Sequence, residues 1–440
     1  MKKVLKWLGI VVLALVVLVG LLAALPPGRA LISEKLTLKR GADAYLIGYP
    51  LVTMERTRES LTADGTGRPN AFTHARYLPT ATNGVNVVAP SRDTVYSSAW
   101  LDLRDGPVLI EQPDMDDRFW LMPVLDQWTN VIADPGTRTV GNGPHTFLIT
   151  GPDWTGEAPD EVIEYRSPTN TAWAILRMQT GPGLDAIADL QDGFRIAPMA
   201  DPTAYTEPTV LTAPRNPVDV RSAVDALGAE AFFAELAAAL DGTSFNPADP
   251  DAEATLERIG VTAGSFDVSA LSEAQRAGLA DVPKRLAAVR AFAALPEAAS
   301  LAAANKRVSN ILKKVEGEVE AKVDAALLKE PAEAALAQAL NGVKPQADAA
   351  FEQGDYAGSL KALAALKEPV DAFFDGVMVN AEDPALRANR LGLLAQLHAA
   401  CEPRHLGLPG FRTDHELVAA GSAVGRVRRH HTPCAGIHLR

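Results

Sequence analysis

The sequence changes its alphabet near residue 281, and a single core is not built from two alphabets. All six tryptophans stand at or before Trp173, whereas alanine fills 32 of the 119 positions from 282 to 400. Residues 1–281 carry 22 basic and 36 acidic side chains, a net −14, and residues 282–400 carry 14 and 15. Residues 401–440 carry 6 and 3, and all six are arginine. Aromatic and β-branched residues suit a pleated sheet, and alanine suits a helix. A chain of 440 residues is long enough for separate cores. The expected fold is therefore multidomain α and β. It comprises an N-terminal membrane helix, an antiparallel β-sandwich or barrel-like domain, an all-α helical bundle and a disordered C-terminal tail.

The N-terminal segment, residues 1–30, begins with Lys2, Lys3 and Lys6. A nearly unbroken apolar run from Trp7 to Leu25 follows, closed by Pro26 and Pro27. Nineteen residues at about 1.5 Å rise make roughly 28 Å of helix, close to the thickness of a bilayer core. An uncleaved anchor through residues 7–25 is expected, with a removed signal peptide as the alternative, because Leu25 and the proline pair make poor cleavage geometry. The lysines stay cytoplasmic, which sends the body to the outer, periplasmic side of a single-pass protein.

From about 72 to 180 the period is two rather than 3.6. Thr94 to Leu103, Phe119 to Val124, Thr146 to Thr150, Val162 to Tyr165 and Ala172 to Met178 read as short strands, with Gly and Pro turns between them. A helical pattern over Glu34 to Glu59 precedes them. The β-rich domain is expected over 31–200, with a helical or linker continuation over 201–281. Polar residues gather where strands meet turns: His74, Asp93, Tyr96, Asp102, Arg118, Asp126, Asn130, Arg138 and Arg166. Brought to one rim, they would form a pocket for a small molecule, with arginines facing an anion and His74 or an aspartate moving a proton. Alternatively, Asp and Asn cap turns while Arg pairs with carboxylates across strands. The body contains no G-x-S-x-G elbow, H-E-x-x-H pair or phosphate loop. His74 and His145 are its only histidines, so a three-histidine metal site cannot be built there. No cofactor and no metal are expected.

The run from Val88 to Leu103, centred on Pro90-Ser91-Arg92-Asp93-Thr94-Val95-Tyr96, resembles the signature of the DUF1254 family. So do Leu125-Asp126-Gln127-Trp128-Thr129-Asn130, Gly136-Thr137-Arg138-Thr139 and Arg166-Ser167-Pro168-Thr169-Asn170. The likeness covers roughly residues 40–281. Ser91 stands where that family usually has Asn, and the second β-rich domain that members often carry is not found. The resemblance implies a fold and an envelope location, and it carries no reaction.

After Asp281 the period becomes helical. Leu286, Val289, Phe292 and Ala293 share one face, and Pro296 restarts the chain. Leu301, Val308, Ile311 and Leu312 form a second apolar stripe, with Lys306, Asn310, Lys313 and Lys314 opposite. Asp383 is placed to cap a helix that opens at Pro384 and buries Leu386, Leu393, Leu394 and Leu397, leaving Arg387 and Arg390 outside. The lysines and arginines read either as a solvated face or as a phosphate-contacting patch. Leu295-Pro296-Glu297-Ala298, the run from Leu301 to Leu312, Leu327-Leu328-Lys329-Glu330-Pro331 and Leu386-Arg387-Ala388-Asn389-Arg390-Leu391 closely resemble the C-terminus of the bacterial glycine–tRNA ligase β subunit. In that family this is the DALR-type anticodon-binding domain, here matched over about 283–398. The resemblance implies tRNA contact by residues 282–400 through Asn305, Lys306, Arg307, Asn310, Arg387 and Arg390. It also implies an α-subunit partner and a cytoplasmic location, and it carries no catalytic site.

Residues 401–440 lose all periodicity. Five of the eight histidines and both cysteines, Cys401 and Cys434, fall there in no spacing that fits a zinc site. A non-homologous, disordered tail is expected. Phosphate-rich partners and an outward-facing anchor belong to opposite sides of a membrane. The sequence therefore reads as a chimera joined near Asp281, a membrane-anchored domain of open role ahead of an anticodon-binding-like bundle. The alternatives are a tRNA-binding ligase fragment, or a small-molecule-binding or structural envelope protein.

Overall fold

The computed structural model describes residues 26–63, 65–78, 91, 93–181, 183–214, 219–315 and 319–401. The proposed anchor at 7–25, the tail at 402–440, residues 88–90 and Arg92 lie outside the described residues. Among the described residues no single helix is long and apolar enough to cross a membrane. The chain divides into two compact units, residues 43–271 and residues up to 42 together with those from 272 onward. The first helix, α1 (Pro26–Thr62), contributes to both. It is longer than the 34–59 pattern and takes in the Pro26-Pro27 pair read as a stop, since a proline's fixed φ of about −65° is itself helical.

The first unit holds two large sheets and a two-stranded hairpin, Val261–Thr262 against Ser265–Phe266. Its larger, seven-stranded sheet has the order β11-β1-β2-β9-β5-β6, with β4 also paired to β9. Its strands are β1 (Phe72–Ala75), β2 (Thr94–Asp102), β4 (Trp120–Leu121), β5 (Val124–Asp126), β6 (Val131–Ala133), β9 (Thr171–Gln179) and β11 (Thr209–Leu211). The second sheet runs β10 (Arg195–Pro198), β3 (Val108–Gln112), β7 (His145–Thr150), β8 (Ile163–Arg166). The spine is β2 against β9, in register from Thr94 opposite Gln179 to Asp102 opposite Thr171. Their alternating side chains put Val95, Leu101, Ala172, Ala174, Leu176 and Met178 into a core shared with Ile110, Phe147, Ile149 and Ile196 of the second sheet. Trp120, fully buried, packs its ring against Phe147 and Phe194.

The expected all-antiparallel pattern needs correcting at two places. β1 pairs with β11, and β7 with β8, in parallel. A parallel pair needs a crossover of about a dozen residues, and the connections before β8 and β11 are long enough to make it. The unit also holds the helices α2 (Asp185–Gly193), α3 (Val220–Asp225) and α4 (Ala229–Leu240). The buried face of α4 is Phe232, Phe233, Leu236, Ala237 and Leu240. The second half of α1 lies on that face. The Tyr45 ring stacks on Phe232 at 3.9 Å, and Arg56 Nε donates to Glu235 at 2.8 Å. A short helix, α5 (Ala252–Glu257), follows.

The second unit is built from α6 (Glu273–Ala293), α7 (Ala298–Leu312), α8 (Pro331–Glu352), α9 (Tyr356–Ala364), α10 (Lys367–Gly376) and α11 (Pro384–Cys401). Their starts follow the expected chemistry. Ser272 and Gln275 form a capping box on α6, and Asp383 Oδ1 accepts from Ala385 N at 2.7 Å ahead of α11. Residue 281, where the sequence places a join, is inside α6 and not in a linker. Asp281 Oδ2 accepts from Tyr356 Oη at 2.5 Å and from Arg285 at 3.4 Å. Gly278 lets α6 pass so close to the first half of α1 that a Cβ there would lie 2.4 Å from the Glu34 carbonyl oxygen. The helical unit therefore includes residues from well before the change of alphabet.

Candidate functional site

The polar residues named from the strand ends do not converge. Asp126 is fully buried at the end of β5 and folds its own turn, accepting from Trp128 N at 2.9 Å, Asn130 N at 2.8 Å and Asn130 Nδ2 at 2.8 Å. Burial pushes its carboxyl above the usual range, against those hydrogen bonds, which pull it down. Asp93 is exposed, and the Ser91 hydroxyl beside it holds its carboxyl below the usual range. Tyr96 Oη accepts from Ser91 N at 2.9 Å, and the Arg177 guanidinium stands 5.2 Å over its ring. Each of the named arginines has a partner in its own part of the sheet. Arg118 donates to the carbonyls of Gln179 and Thr180 at 2.9 and 3.1 Å, Arg166 donates to the Trp154 carbonyl, and Arg138 covers the Phe119 ring at 5.6 Å. These groups hold turns and strand ends together.

His74 is also enclosed. Its Nδ1 lies 2.8 Å from Ser97 Oγ, which accepts from Gln191 Nε2 at 3.0 Å, and its ring stacks on Phe72. Burial drives its pKa down to about 4, so the ring is neutral at neutral pH, and no solvent reaches it to exchange a proton.

Asp102 lines a cavity of about 450 Å³. One wall comes from α1, with Glu55 and Arg58, and another from the end of β2, with Trp100, Asp102 and the following Arg104. Gln127, from the β5–β6 turn, and Thr243, just after α4, close it. Gln127 is fixed in place, its N donating to Thr169 Oγ1 and its Oε1 accepting from Thr243 Oγ1, both at 3.1 Å. The Arg104 guanidinium holds the Asp102 carboxyl below the usual range. Apart from Asp102, these residues escaped the sequence reading because they come from four separate segments. The one local signal was the Glu55 and Arg58 spacing of three on a helix. Among the described residues no group of three or more His, Cys, Asp or Glu is placed to hold a metal ion. Of the cysteine and histidine cluster named in the tail, only Cys401 is described, and burial pushes its thiol up to about 12.

In the helical unit the residues named for tRNA contact separate into two groups. α7 buries Leu301, Ala304 and Val308 and turns Arg307 and Asn310 outward, with Lys306 half-buried beside them and the exposed Lys313 and Lys314 directly after its last residue. No carboxylate interrupts that stripe between 303 and 314. Arg307 is steadied by the Phe374 ring, 4.2 Å below its guanidinium. Arg387 is exposed in the first turn of α11. Asn305 turns instead toward α11, its Oδ1 3.2 Å from His398 Nδ1.

Arg390 is only 6% exposed, contrary to its expected place outside. It pairs with the buried Glu333 and donates through Nη1 to the Met378 carbonyl at 2.7 Å. The spacing explains this. Arg390 is four residues after Leu386, three before Leu393 and four before Leu394, so it sits on the apolar face of α11.

Residues 69–198 match the family described as protein of unknown function (DUF1254), and residues 301–401 match the DALR anticodon binding domain. Among curated proteins, the chain is 52% identical over 241 residues to the glycine–tRNA ligase beta subunit of Leptothrix cholodnii, covering 53% of this chain and 32% of that one. It is 71% identical over 145 residues to the glycine–tRNA ligase beta subunit of a Janthinobacterium species, covering 33% and 20%. The chain thus spans between 20% and 32% of the length of these relatives. A solved structure of the VPA0106 protein from Vibrio parahaemolyticus is 21% identical, with a TM-score of 0.43 over 57% of this chain and 58% of that one. The chain carries a DUF1254 segment followed by a DALR anticodon-binding segment.

Proposed function

We propose that the helical unit is a tRNA-binding module, and that it holds the phosphate backbone through the outward stripe of α7. The observation that supports this is the series Lys306, Arg307, Asn310, Lys313 and Lys314, without a carboxylate among them, along the last turns of α7 and the turn that follows it, inside the anticodon-binding match. RNA backbones are held by Lys and Arg, and bases in single-stranded loops are reached by amides such as Asn310 and stack on guanidinium planes. Arg387 extends the same chemistry to α11, while Arg390 and Asn389 keep α11 in place. The proposal concerns RNA binding and not aminoacylation, because the chain spans a minor part of its ligase relatives. Their name, a beta subunit, makes a separate α chain the protein partner to seek by co-purification.

The test is binding of a glycine tRNA transcript to the full chain across a salt series. Binding is expected to weaken steeply with salt, and each of Lys313→Ala and Lys314→Ala is expected to reduce the log–log slope by about 0.7–0.9. A folded chain that fails to bind at low salt removes the proposal. The reading also requires the helical unit to share a compartment with tRNA. That is opposite to the topology that Lys2, Lys3 and Lys6 would impose on an anchor at 7–25. Fractionation followed by protease protection distinguishes the two arrangements.

A further inference from the structure

We infer that the β-rich unit binds a small neutral polyhydroxylated molecule, a sugar or sugar alcohol, in the cavity lined by α1 and the end of β2. This goes beyond tRNA contact and rests on other residues. A volume of about 450 Å³ falls within the roughly 300–1,000 Å³ of small-molecule sites.

Both guanidiniums on its walls are paired with carboxylates. Arg58 Nε donates to the Glu55 carboxylate at 3.0 and 3.1 Å, and Arg104 Nε donates to that of Asp102 at 2.9 and 3.2 Å. Asp241 adds a third carboxylate against two guanidiniums, so an anion would find no uncompensated cation. Asp241 is the one carboxylate of the lining without a guanidinium partner, which makes an amine the competing ligand that the titration has to exclude.

A hydroxyl both donates and accepts, and these walls supply both halves: carboxylates accept, while guanidinium N–H groups outside the ion pairs donate. Gln127 spends its Oε1 on Thr243, which leaves its amide hydrogens to offer. Trp100, 5% exposed, adds an apolar edge to the floor of the cavity, and it is held rigid by Trp173, 5.0 Å away at an interplanar angle of 4°.

The experiment is calorimetric titration of the full chain with D-glucose, maltose and myo-inositol, alongside acetate, inorganic phosphate and ethanolamine. Saturable binding of at least one neutral polyol is expected, unchanged between about 0.05 and 0.5 M salt. Arg104→Ala, at a side chain that is 72% exposed, is expected to weaken it about tenfold or more. Should that variant lose its circular dichroism, Thr243→Val frees the Gln127 carbonyl and is expected to weaken binding about fivefold. Absence of binding by all three polyols overturns the inference. So does binding of an anion or amine in their place, or a polyol affinity that neither substitution changes.

Discussion

Arg390 offers the sharpest test, because its residue type points to RNA and its position points to the core. Truncation to alanine removes the partner of a Glu333 carboxylate whose side chain is 1% exposed, and it also strips the Met378 carbonyl of its donor. Breaking one side of a buried ion pair costs about 3–5 kcal/mol. Glu333 keeps two backbone donors, Lys329 N at 2.6 Å and Glu330 N at 2.9 Å, which puts the cost toward the lower end of that range. For a unit of this size each kcal/mol moves the midpoint by about 2–4 °C, so Arg390→Ala is expected to lower the Tm of the helical unit by roughly 6–15 °C.

Thermal unfolding followed by circular dichroism measures this. The double variant Arg390→Met with Glu333→Gln is expected to recover most of the loss, since a glutamine oxygen can still accept at the start of α8 while no charge is left unpaired. Below the unfolding temperature, Arg390→Ala should leave the salt slope of tRNA binding unchanged. A midpoint shift under about 2 °C together with a reduced slope would refute the reasoning and return Arg390 to the RNA surface.

Gly278→Ala places a methyl group 2.4 Å from the Glu34 carbonyl oxygen, so α1 and α6 must separate. A loss of about 1–3 kcal/mol is expected in the urea unfolding of the helical unit. His74 stays neutral in the folded chain down to about pH 4, whereas the unfolded chain protonates it near its ordinary 6.5. Its folded pKa is depressed, so the unfolded state binds the extra proton in that window and stability falls as pH drops from about 6.5 to 4, by roughly 3 kcal/mol in all. Unfolding curves across this range should show that slope, and His74→Leu should abolish it whatever its effect at pH 7. Asp126→Ala orphans three donors in the β5–β6 turn and is expected to cost about 3 kcal/mol, while Asp126→Asn, which retains one acceptor oxygen, should cost less by the same measurement.

The strands with clean alternation were legible, and β2 and β9 lie within a residue or two of where the pattern puts them. Of the very short strands β8 was found and β10 and β11 were not, because three or four residues hold too little period to separate a strand from a turn reliably. The stripe of α7 was legible for the same reason in reverse, since fifteen residues repeat the helical period four times over. Arg390 was misplaced by its type, although its spacing to Leu386, Leu393 and Leu394 already put it inside. The cavity was nearly invisible, since Arg58, Asp102, Gln127 and Thr243 are far apart in sequence and meet only after α1 packs on α4 and β5 pairs with β9.

By itself the sequence determined that two differently composed segments follow one another, which family each matches, and where most helices and long strands lie. Those properties rest on local period, on capping and on side-chain composition, all of which act over a few residues. Tertiary structure alone decided that α6 runs unbroken through the change of alphabet, that Arg390 is buried and Arg307 is not, and that the named polar residues hold turns. Burial and pairing sum over residues distant along the chain, and that sum is fixed only when the elements pack.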